Sequence, residues 1–139
     1  MLKIAVIDGQ GGGIGSLVVK KLREAFGDSV EIIALGTNAV ATTSMMKAGA
    51  DKGASGENAI VWNAGKTDII TGPISIMLPN AMLGELTPHM AAALSSSPAR
   101  KLLLPLNQEQ IDIIGIIKEP LPHLADALIQ KIKEIVKDV

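Results

Sequence analysis

The stretch LKIAVIDGQGGGIGS, from Leu2 to Ser16, decides how this chain folds. The near-continuous apolar run Leu2–Ile7 reads as a strand buried on both faces, as in a parallel sheet. Asp8 ends it. A cluster of small residues follows: Gly9, Gln10, Gly11, Gly12, Gly13, Ile14, Gly15 and Ser16. From Ile14 to Phe26 the spacing turns helical. Ile14, Leu17, Val18, Leu22, Ala25 and Phe26 share one face, and Lys20, Lys21, Arg23 and Glu24 lie off it. A strand, a glycine turn and a helix start make an anion cradle. Backbone N–H groups point outward there, and the helix dipole adds about half a positive charge. Turns of this kind hold nucleotide phosphates.

Outward from that unit, strands alternate with helices. Val30–Leu35 reads as a second buried strand, closed by Gly36-Thr37-Asn38, where Thr37 or Asn38 caps a helix to about Lys47. Ala48–Ser55 is rich in turn residues with room for one short strand. Ser55 is the expected cap of a helix over Gly56–Asn63. Asp68–Thr71 is a third strand, closed by Gly72-Pro73. Pro79 and Pro88 divide the following segment into short helical pieces. Lys101–Leu106 and Ile111–Ile116 read as two further strands, and Pro122–Lys137 as a last amphipathic helix. The pattern predicts one α/β domain over residues 1–139, a Rossmann-like three-layer sandwich with a mostly parallel sheet. Only Asn107–Gln110 join the last two strands. That is too short for a parallel crossover, so an antiparallel pair is expected near the C-terminus.

Composition narrows the function. The 139 residues carry a net charge of −1, no long basic run, and only Phe26 and Trp62 as aromatics. Nucleic acid is therefore not an expected partner. With no cysteine and no tyrosine, thiol chemistry and disulfides are excluded. No histidine, aspartate and glutamate cluster has metal-ligand spacing. The first residues already read as a strand and not as a signal peptide, and no apolar run spans a membrane, so the expected compartment is the cytoplasm. Hydrophobic residues make up 47% with a mean hydropathy of +0.35, which is rich for a monomer. A homo-oligomer, most simply a dimer, is expected. From Ile69 to Ala99 the only charged residue is Glu85, so this segment is the expected contact.

Within the glycine turn, Gly9, Gly13 and Gly15 fit G-x-x-x-G-x-G. Neither G-x-G-x-x-G nor a P-loop is completed. Dinucleotide sites place an acidic residue at the end of the second strand for the ribose hydroxyls. Here that place holds Gly36, Thr37 and Asn38. Asp8 stands where phosphates approach, and serves either the structure, by accepting glycine N–H groups, or a ligand. Gly72 and Pro73 start a second segment on the same sheet edge, where Asn80 and Glu85 supply polar groups for either an interface or a ligand. The turn is thus open to a nucleotide or a dinucleotide such as NAD(P). Short-chain dehydrogenase chemistry is not, because it requires a tyrosine. His89 and His123 have no visible partner.

The strings IAVIDGQGGGIG, ALGTNAVAT, GASGENAI, GPISIMLPNAMLGELTP and LLLPLN resemble a small bacterial family of single-domain proteins known only as a domain of unknown function. The likeness runs over nearly the whole chain. It implies a compact Rossmann-like protein and assigns no catalytic residues. The first strand, turn and helix also resemble short-chain dehydrogenases locally. Three readings follow. The first is a binding protein for a nucleotide or other phosphate-bearing small molecule at Gly9–Ser16. The second is an enzyme on such a metabolite whose site is shared between subunits and uses Asp8, Asn80, Glu85 or His89. The third is an interaction module whose glycine turn is empty.

Overall fold

The computed structural model of the chain describes residues 1–137. Five strands, β1 (Leu2–Asp8), β2 (Val30–Gly36), β3 (Lys52–Ser55), β4 (Ile69–Pro73) and β5 (Arg100–Leu104), form one sheet in the order β3-β2-β1-β4-β5. All four pairings are parallel, with Leu2 opposite Val30 and Ile4 opposite Ile69. The chain builds outward from β1 to β3 and then restarts on the other side with β4. The switch point therefore lies between the carboxyl ends of β1 and β4.

Strand alternation sends side chains to two cores. Ile4, Val6, Ile32 and Ala34 face α1 (Gly13–Phe26), α2 (Ala39–Ala48) and α5 (Leu121–Lys137) through Val18, Leu22, Met45 and Ile129. Ala5, Ile7, Ile33 and Leu35 face α3 (Glu57–Ala64) and α4 (Pro88–Ser96) through Ile60, Met90 and Leu94. Burial on both faces explains why the strands read as continuous apolar runs. Asn38 caps α2, its side chain accepting from Ala41 N at 2.9 Å. Gly56, not Ser55, precedes α3; Ser55 stays in β3 and its hydroxyl pairs with Thr42 Oγ1 at 2.7 Å.

The expected antiparallel pair is absent. Residues 111–116 form no strand, and β5 pairs only with β4. The cause is local. At Pro105 the chain makes a tight turn, with Leu106 N donating to Leu104 O at 2.7 Å. Leu106 then packs on the core, which lifts the chain off the sheet edge. Part of the apolar surplus of residues 69–99 is used within the chain. Ile76, Met82, Leu86 and Met90 complete the chain's own second core, and of this group Leu83 is left out at 97% exposure.

Gly72 is required by the sheet itself. A Cβ there would collide with the carbonyl oxygen of Ile7, whereas one at Gly11 meets nothing within 4 Å. Gly72→Ala is expected to lower unfolding stability by about 3 kcal/mol and Gly11→Ala to change it by less than about 0.5 kcal/mol. Urea midpoints of the two variants check this; equal losses would mean that packing does not select glycine at position 72.

Candidate functional site

The glycine turn has one carboxylate at its centre. Asp8 is 4% exposed; its oxygens accept from Gly9 N at 2.8 Å and Gly15 N at 2.7 Å. Burial pushes the Asp8 carboxyl above the usual aspartate range, and the N–H groups of Gly15, Gly9 and Ile14 pull it partly back. The charge of Glu85 adds to the rise. Asp8 thus fills the inner part of the anion cradle with an internal anion. The glycines divide by this geometry. A Cβ at Gly15 would lie 2.5 Å from Met45 Sδ, and Gly12, at φ 73, would press within 2.9 Å of the Ala41 backbone. Gly9 is closed in by Met82, Thr37 and Glu85. Gly11 and Gly13 face open space. Among the described residues their N–H groups have no hydrogen-bond partner. Ser16 turns its hydroxyl back to Gly12 O at 2.6 Å, away from any ligand.

The segment after β4 folds over this turn. Met82, Leu83 and Gly84 run in succession with left-handed φ of 58, 57 and 90, which doubles the chain back. Asn80 contributes its backbone: its N–H donates to Leu86 O at 2.7 Å and its carbonyl accepts from Gly84 at 3.1 Å. The loop delivers Glu85 to the end of β2. There Glu85 Oε1 accepts from Thr37 Oγ1 at 2.7 Å, Asn38 Nδ2 at 2.8 Å and Gln10 N at 2.9 Å. Burial opposes the Glu85 charge, but the bonds from Thr37, Gln10 and Asn38 outweigh it and hold the carboxyl below the usual glutamate range. The acid that the end of β2 lacks in sequence is therefore present in space. It satisfies the donors that a ribose would use. Gly36 belongs to the same framework, since a Cβ there would strike Thr42 and Asn38.

What stays open is a cleft of about 250 Å³ at the β1–β4 switch point. Asp8, Gln10 and Ile14 form one wall; Pro73, Ser75 and Met82 another; Leu106, Asn107, Gln108 and Glu109 the third. Glu109 is tied in place, its Oε1 accepting from Met82 N at 3.1 Å. No lysine or arginine lines the cleft. Of the residues expected from sequence, Asp8, Gln10, Ile14 and Pro73 meet here. Thr37, Asn38 and Glu85 form a knot beside the cleft, joined to its wall through the backbone of Gln10, and the Asn80 side chain joins neither. Ser75 and residues 106–109 had no signal in sequence, because only the tertiary fold brings them to the switch point. His89 does have a partner: its Nδ1 lies 3.3 Å from Glu57 Oε1, and Glu57 also accepts from Thr87 Oγ1, the cap of α4. Among the described residues no cluster of acids and histidines could hold a metal, and no helix is long and apolar enough to cross a membrane.

Comparison with known proteins adds the following. A family model described as Domain of unknown function (DUF3842) matches residues 3–137. No curated protein matches the sequence. Among solved structures, the chain is similar to a dodecameric FMN-dependent UbiX-like decarboxylase from Escherichia coli O157:H7. The identity is 16% and the TM-score 0.46, covering 96% of this chain and 95% of that one.

Replacing Glu85 by glutamine keeps its shape and removes its charge. Because the folded chain binds the ionised form more tightly, that stabilisation is present above the ordinary glutamate pKa and is lost as pH falls through the lower folded value. Glu85→Gln should cost about 1–2 kcal/mol at pH 7, with the gap to wild type closing below about pH 4. Denaturant titrations at the two pH values measure it; a gap of the same size at both would rule out the charge as its source.

Proposed function

We propose that this chain, which belongs to the DUF3842 family, binds a small phosphate-bearing metabolite in the cleft at the β1–β4 switch point. Gly11 and Gly13 carry the reading. Neither packing nor backbone conformation requires glycine at these two positions, yet both leave open approach to unpaired N–H groups at the start of α1. The phosphate would sit on that outer face of the turn. The rest of the ligand would lie in the cleft against Ile14, Pro73 and Ser75. The cleft's 250 Å³ falls below the range that drug-sized ligands occupy. Glu85 already takes the hydrogen bonds of Thr37 and Asn38. Both facts favour a molecule of mononucleotide size or smaller over a dinucleotide such as NAD(P).

A second reading draws on the charges. Asp8 and Glu109 line the cleft with no cation beside them. That environment suits an amine or a hydroxyl-rich molecule without phosphate, whose donors would meet the carboxylate oxygens. Neither reading assigns a reaction.

Native mass spectrometry of the purified protein would reveal a co-purified molecule. Thermal-shift titration with small phosphorylated metabolites, beside their dephosphorylated counterparts, then separates the two readings. Gly13→Val should preserve the melting temperature of the free protein within about 2 °C, since the site is exposed and free of contacts. It should also weaken binding of the phosphorylated set at least about tenfold, or 1.4 kcal/mol. Full affinity in Gly13→Val would place the ligand elsewhere, and a preference for the dephosphorylated set would select the second reading.

A further inference from the structure

Between Pro105 and Leu121 the chain leaves the body of the protein and returns. Its ends are fixed, because Leu104 and Leu121 both pack on the first core. The excursion is nevertheless apolar: Ile114 is 94% exposed, Ile117 80%, Ile116 50% and Ile111 45%. Such a segment in water is unfavourable. Together the four side chains leave roughly 500 Å² of apolar surface, at the upper end of what a monomer carries as one patch. The sequence IDIIGII has strand character, and it has no strand partner within the chain.

A matching vacancy exists at the sheet edge. Among the described residues β5 pairs with β4 on one side and with nothing on the other. Beside that free edge runs a groove of about 310 Å³, lined by Leu102, Leu104, Leu124, Ala127 and Leu128, with Lys101 and Lys131 on its rim. Within residues 111–117 the one charged side chain is Asp112, and the groove rim carries Lys101 and Lys131. The root of the arm is fixed from two sides: Leu106 packs on the first core, and Glu109 accepts from Met82 N on the α3–α4 side of the sheet.

We infer that the arm over residues 111–117 docks on a second copy of the chain, along the free edge of β5 and the groove between β5 and α5. The two arms alone would bring about 1,000 Å² of apolar surface into the contact, which reaches the size of a specific interface. Edge pairing would satisfy unpaired backbone groups of β5 and remove an aggregation-prone edge. The root of the arm, Leu106–Glu109, is also a wall of the cleft, so docking would fix that wall in each subunit.

Sedimentation velocity of the full chain over a range of concentrations tests the inference. Wild type should be a dimer. Ile114→Asp with Ile117→Asp should weaken association at least about tenfold and leave the melting of the monomer unchanged, because neither side chain belongs to a core. Ala127→Glu should do the same from the groove side, since Ala127 is exposed in the single chain. A wild type that stays monomeric at high concentration overturns the proposal. So does a dimer that survives Ala127→Glu while the arm variant dissociates, because the arms would then meet each other and not the groove.

Discussion

The buried carboxylate of Asp8 is the constraint on which the rest of the site depends. β1 must end and α1 must begin within five residues, and the first turn of α1 starts with N–H groups that have no partner along the helix. Asp8 reaches forward and takes one of them at Gly15, and it also accepts from Gly9 N in the turn before the helix. This fixes the angle at which α1 leaves the sheet and forces glycine at position 15, where a side chain would strike Met45 and Asp8 itself. The same bonds offset part of the burial penalty on the carboxylate. The result is a turn whose inner donors at Gly9 and Gly15 are already satisfied, leaving Gly11 and Gly13 open on its outer rim.

Much of the fold was legible because it depends on short-range pattern. The apolar runs of Leu2–Ile7 and Val30–Leu35, the helical face from Ile14 to Phe26 and the cap at Asn38 each state their element within a few residues. The α/β class follows from their alternation. The failure at Ile111–Ile116 is instructive. The residue types favour a strand, but a strand needs an edge, and the turn at Pro105 carries this segment away from the one nearest in sequence. Local propensity describes what a segment can pair with, not whether a partner is in reach.

The site was legible only in part, for the same reason. The glycine turn announces itself. Glu85 does not, because its meaning comes from Thr37 and Asn38, nearly fifty residues earlier. The missing acid at the end of β2 was a correct observation about sequence, yet the fold supplies that acid from the loop after β4. Likewise, the long stretch with one charge closes the chain's own second core with many of its apolar residues and leaves Leu83 exposed. Low charge reports burial; it does not report against what.

The strand order carries a further consequence, for the route by which the chain folds. β1 is made first and ends at the centre of the sheet, between β2, some 28 residues on, and β4, some 65 residues on. The first neighbour can be found across a single helix. The second requires closing a much longer loop before its contacts yield anything, and parallel pairings offer no tight hairpin to guide them. Until β4 arrives, one edge of an apolar central strand stays open to any other chain. A topology that places the earliest strand in the middle therefore ties the safety of folding to its slowest, most non-local step.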